Sequence, residues 1–67
     1  MVCYVNNAPR EAADNQLLLD LLADLGLAAP RGLAVAVNDA VVPRADWPAR
    51  AVRPHDRITI IRATQGG

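Results

Sequence analysis

Polar and apolar residues alternate at the start of the chain. Met1, Cys3 and Val5 fall on one side, and Val2, Tyr4 and Asn6 on the other, the period-two pattern of a strand with one buried face. Asn6-Asn7-Ala8-Pro9 reads as a turn, because Asn tolerates left-handed backbone and Pro cannot join a central ladder. A short return strand over about residues 10–12 completes a hairpin. The period then changes. Leu18, Leu21, Leu22 and Leu25 recur at helical spacing, with Asp20 and Asp24 on the opposite, wet face. Asp14 or Asn15 is the expected cap. Gly26 suits the left-handed position that ends such a helix, and Leu27 can fold back onto it. Pro30 and Gly32 make the link to a second apolar strand, residues 33–38, with Leu33, Val35 and Val37 facing together.

Asn38-Asp39 is a turn signal, Ala40-Val41-Val42 a short strand, and Pro43 its stop. Residues 44–53 read as irregular, with Trp47-Pro48 in the middle. Pro54-His55-Asp56 is another turn. Residues 57–63 form the last strand, with Ile58 and Ile60 inward and Ile61 outward. The order is strand, strand, helix, strand, short strand, strand. One helix on one face of a small mixed sheet is the simplest way to bury the leucine stripe. The expected class is α+β, with the first and last strands side by side in mid-sheet, the β-grasp arrangement. Residues 1–63 are the expected domain and residues 64–67 a flexible tail.

At 67 residues this is one domain that buries only about 60% of its unfolded surface. Just two aromatics, Tyr4 and Trp47, accompany many aliphatic residues, so the core is expected to be aliphatic. A single cysteine excludes an internal disulfide framework. Cys3 and His55 alone are too few for a zinc site. The opening Met1-Val2-Cys3-Tyr4-Val5 lacks a basic lead, and Asp20 and Asp24 break the longest apolar stretch. No export signal or membrane span is therefore expected, and the setting is read as cytoplasmic. Seven Arg balance seven acids, which gives no reason to expect nucleic-acid binding. The balance is uneven, however. Residues 33–67 carry Arg44, Arg50, Arg53, Arg57 and Arg62 against Asp39, Asp46 and Asp56, a mildly basic half that suits an acidic partner.

Little here could do chemistry through a side chain. The chain has no Ser and no Lys, and one each of Cys, His and Glu. It ends Thr64-Gln65-Gly66-Gly67 directly after a strand. A diglycine end has no packing role. It removes side chains, so that a thin carboxylate can thread a narrow channel in another protein. The candidate reactive group is the carboxyl of Gly67, with Gly66, Gln65 and Thr64 lying in the partner's channel.

Three segments resemble one family. Residues 35–47, Val-Ala-Val-Asn-Asp-Ala-Val-Val-Pro-Arg-Ala-Asp-Trp, are similar to the Val-Asn…Val-Pro-Arg-x-x-Trp pattern of ThiS-type sulfur carriers, a ubiquitin-like β-grasp family of thiamine biosynthesis. The Asp56-x-Ile-x-Ile strand and the Gly-Gly terminus agree. One departure is His55-Asp56 where the family commonly has Gly-Asp, at a turn where His is costlier than Gly if φ is positive. The resemblance implies a cycle. A ThiF-like adenylyltransferase uses ATP and Mg²⁺ to turn the Gly67 carboxylate into an acyl adenylate. A persulfide donor converts that to a thiocarboxylate, and a ThiG-like thiazole synthase takes the sulfur. The carrier is then a cosubstrate with no catalytic side chain and no permanent cofactor, and a monomer when free. Alternatives stay open: on the same fold, the small subunit of molybdopterin synthase, another ubiquitin-like sulfur carrier, or a modifier joined to target proteins; and, as a separate class, a plain interaction domain whose tail is inert.

Other residues weigh differently. Cys3 invites a persulfide role, but alternation turns it inward and free Cys is commonly buried. His55 reads as an exposed turn residue, and Trp47 as a plug whose N–H finds a backbone carbonyl. Arg44 either lies along the surface or meets an acid on a partner. Ile61, Val42 and Tyr4 are expected to form an apolar patch beside the tail, with Arg44 and Arg62 as further contacts.

Overall fold

A computed structural model describes residues 1–27 and 32–62. Five strands and one helix follow in the order β1 (Val2–Val5), β2 (Ala8–Glu11), α1 (Leu18–Asp24), β3 (Leu33–Val37), β4 (Ala40–Val41) and β5 (Arg57–Arg62), with a 3₁₀ run at Arg44–Ala49. The strands form one mixed sheet in the order β2-β1-β5-β3-β4. β1 and β5 are parallel neighbours in the centre, and every other pairing is antiparallel. This is the expected β-grasp arrangement.

Alternation decides the faces. Cys3, Val35, Val37 and Ile58 point to one side and are buried, together with Leu18, Leu21 and Leu22 of α1. The helix covers only that side. Its end follows the chemistry of Gly26, whose φ is +76°. The Leu27 N–H donates to the Leu22 carbonyl at 2.7 Å and the Gly26 N–H to that of Ala23 at 2.9 Å, which satisfies two carbonyls that a helix end leaves open. The helix start differs from expectation. Neither Asp14 nor Asn15 caps it. Leu17, extended and with no side-chain cap bond, holds that position. Leu17 forms a β-bridge with Ala51, and the Leu18 N–H donates to the Arg50 carbonyl at 2.7 Å. A distant segment thus does the work of a capping side chain. The return strand also begins earlier than residue 10, at Ala8, and includes Pro9. Pro9 is tolerated because β2 is an edge strand.

Residues 44–49, read as irregular, form the 3₁₀ run instead. Pro43 starts it, and the Asp46 N–H donates to the Pro43 carbonyl at 2.8 Å. Pro48 inside the run is incompatible with a longer α-helix. Trp47 seals this segment onto the core. It is buried, and its indole N–H donates to the Val42 carbonyl at 3.0 Å, as expected of a buried Trp.

Candidate functional site

The tail residues Thr64, Gln65, Gly66 and Gly67 lie outside the described residues. What is described is the platform from which they depart. β5 runs up the middle of the sheet, antiparallel to β3 over its whole length, from Val37 opposite Ile58 to Leu33 opposite Arg62. On its other side it meets β1 only at Tyr4 opposite Arg57 and Val5 opposite Ile58. Further up, the Asn6 side-chain oxygen accepts from the Ile60 N–H at 2.8 Å. The upper part of β5 is therefore held by backbone on one flank and by a side chain on the other.

Ile61 and Arg62 point to opposite faces. Ile61 stands on the open face and is 58% exposed. Beside it across the ladders lie Ala34, Ala36 and Val41, and Val41 is 76% exposed. Arg62 turns toward the helix side and lines a groove of about 400 Å³ with Val5, Asn6, Leu25, Leu27 and Ile60. The expected patch of Ile61, Val42 and Tyr4 needs correcting. Val42 is buried at 7% exposure, because its N–H donates to the Val35 carbonyl and the alternation beyond β4 turns it toward the core. Val41 takes the exposed position. Tyr4 is half-buried and sits beside Arg57, four residues down β5 from Ile61 and about 13 Å away at the usual strand rise. The apolar strip near the end of β5 is therefore Ile61, Ala34, Ala36 and Val41.

Arg44 is exposed, with its guanidinium over the Trp47 ring, 5.3 Å from the centroid. Cys3 is fully buried, and burial pushes its thiol up from the ordinary value. A neutral, enclosed thiol is a poor sulfur nucleophile, so the core reading of Cys3 holds. Among the described residues no group of three or more His, Cys, Asp or Glu stands close enough to hold a metal ion. No helix of the described residues is long and apolar enough to cross a membrane.

The family model for the ThiS family matches residues 3–67. The chain belongs to the ThiS family. The crystal structure of the thiamine biosynthesis protein (ThiS) from Geobacter metallireducens superposes with a TM-score of 0.85 at 26% identity, over 100% of both chains. The NMR solution structure of a thiamine biosynthesis protein from the same organism gives 0.79 at 26% identity, over 100% of this chain and 88% of that one. No curated protein matches the chain.

In this ThiS-family chain the residues that hold the tail's platform were only partly visible beforehand. In the sequence Asp56 reads as a turn residue and the start of a strand motif. It is 7% exposed. One carboxylate oxygen accepts from the Asn38 amide at 3.0 Å and the other from the Arg53 N–H at 2.9 Å. Asn38 accepts in turn from the Arg57 N–H at 2.9 Å. This clamp joins the β3–β4 turn to the first residue of β5. A lone acid next to a strand, 18 positions after an Asn in a turn, is the only sequence trace it leaves.

Proposed function

We propose that this ThiS-family chain is a sulfur carrier in thiamine biosynthesis and that its working group is the Gly67 carboxylate. A terminal carboxylate has a pKa of about 3.3–3.7 and is anionic at neutral pH, so it repels nucleophiles. A ThiF-like adenylyltransferase, using ATP and Mg²⁺, would join it to AMP with loss of pyrophosphate. The terminal sulfur of a persulfide then attacks the carbonyl carbon, a C–S bond forms and AMP leaves. A thiol cleaves the resulting acyl disulfide, itself ending oxidised as a disulfide, and the thiocarboxylate is released. A ThiG-like thiazole synthase would take that sulfur. The chain serves as a cosubstrate: residues 1–63 hold residues 64–67 out for partners that supply the catalysis.

The observation that carries this reading is the family match, which runs to residue 67 and so takes in Gly66 and Gly67. The geometry of β5 supports it. A central strand held on both flanks gives the tail a fixed point of departure, and an apolar strip with Ile61 stands next to it. The test is an intact-mass spectrum of protein isolated from cells that contain the sulfur-transfer partners. An oxygen-to-sulfur mass gain confined to the peptide ending at Gly67 is expected. A gain localised to Cys3 would overturn the assignment. With purified activating enzyme, Gly66→Ala is expected to slow adenylation by on the order of a hundredfold, the scale of a small misplacement of a reacting group, while the unfolding midpoint stays put.

A further inference from the structure

We propose that a cleft framed by Arg50, Arg53 and Asn38 is a docking site for an acidic stretch of a partner protein, at the end of the domain where β5 starts. The cleft has a volume of about 520 Å³ and is lined by Asn38, Ala49, Arg50, Ala51, Arg53 and Asp56. Arg50 and Arg53 are exposed. Among the described residues no carboxylate lies within ion-pair distance of either side chain. Asp56, the one acid in the lining, forms no ion pair with either guanidinium, and the lining keeps a formal charge of +1. It is buried, and both its oxygens already accept hydrogen bonds from Asn38 and the Arg53 backbone. Two unpaired guanidinium groups thus share one hollow on a chain whose net charge is zero. The small side chains of Ala49 and Ala51 leave it open.

The other described arginines are placed differently. Arg57 faces Asp39 at 3.3 Å, Arg44 lies over Trp47, and Arg62 borders the groove at the far end of β5. Arg10 belongs to edge strand β2, with its Nε enclosed. Among the described arginines, only residues 50 and 53 combine freedom with proximity. The backbone that carries them is held rigid. The Arg50 carbonyl accepts from the Leu18 N–H, the Val52 N–H donates to the Gln16 carbonyl at 2.8 Å, and Ala51 bridges Leu17. A fixed frame lowers the ordering cost of binding, and planar guanidinium groups suit carboxylates in pairs. The cleft adjoins the start of β5, whereas the tail leaves its end, about 17 Å away at the strand rise. A partner held there leaves the end of β5 open to a different partner. The proposal stands independently of the sulfur chemistry at Gly67.

The test is an amide-shift titration of the ¹⁵N-labelled full chain with octaglutamate at low salt. Progressive shifts are expected at Asn38, Ala51 and Arg53. Binding should weaken roughly tenfold or more in R50E/R53E and in 0.5 M salt, the scale of two exposed ion pairs lost or screened, and survive in R50K/R53K. R50Q/R53Q serves should the reversal disturb the amide fingerprint. Absence of shifts, shifts centred on Arg10 or Arg62, undiminished binding by the charge-altered variants, or equal affinity for inorganic phosphate would each overturn the proposal.

Discussion

His55 is the costly residue of this backbone. Six residues other than glycine have positive φ among those described: Asn6, Asn7, Asn15, Asn38, Asp39 and His55. Asn and Asp visit that region cheaply because their short polar side chains bond locally. His enters it more readily than most residues but at a higher cost than Gly, and the family resemblance singled it out for this reason. The turn forms all the same, with His55 at φ +69°. Its N–H donates to the Val2 carbonyl at 2.7 Å, so tertiary bonding imposes the conformation. His55→Gly should therefore stabilise the protein by up to about 1 kcal/mol, less whatever the freer unfolded chain takes back. Urea unfolding would read this as a higher midpoint at the same slope. A lower midpoint would mean that the imidazole makes a contact worth more than the strain.

Between elements, distant backbone and one buried acid do what local sequence signals were expected to do. The α1 start is the clearest case. A cap at Asp14 or Asn15 was a sound local expectation, but Leu17 bridges Ala51 and Leu18 donates to Arg50, so no side-chain oxygen is needed there. By contrast the end of α1 at Gly26 and Leu27 was legible, because a Schellman turn is built within six consecutive residues. The Asp56 clamp was not legible, because its partner Asn38 is reached only once β3 and β5 have paired. Asp56→Ala is expected to cost about 1–3 kcal/mol, the range for leaving buried donors without their acceptor. Asp56→Asn should cost less, since one oxygen remains to accept. Equal stability of wild type and Asp56→Ala in denaturant titrations would remove the clamp from the account.

Across the whole molecule, the sheet has two unlike sides. Helix α1 covers one, and the other stays open with Ile61 and Val41 standing out. Single exposed apolar residues need no explanation, but a strip of them where β5 ends does invite a docking surface for whatever handles the tail. Ile61→Asp and Val41→Asp should leave stability within about 0.5 kcal/mol, as solvent-facing changes usually do. They should raise KM for this protein in adenylation with kcat little changed, as loss of uniform binding requires. Unchanged KM in both variants would show that activation does not use this face. A loss at Arg50 and Arg53 instead would move the activating contact to the far end of the domain.

The chain alone dictated the number and order of its strands and of helix α1, the buried face of each main strand, and the leucine stripe with its glycine stop. All of these rest on spacing between near neighbours, which periodicity and turn residues encode directly. Three-dimensional folding settled how α1 begins, which of two adjacent valines, Val41 or Val42, faces water, that Tyr4 stands apart from Ile61, and that Arg50 and Arg53 share a cleft. Each of these depends on strand register or on contacts between residues far apart in sequence. A shift of one position in a strand exchanges its faces, and no local pattern in a two-residue strand such as β4 is long enough to specify that choice.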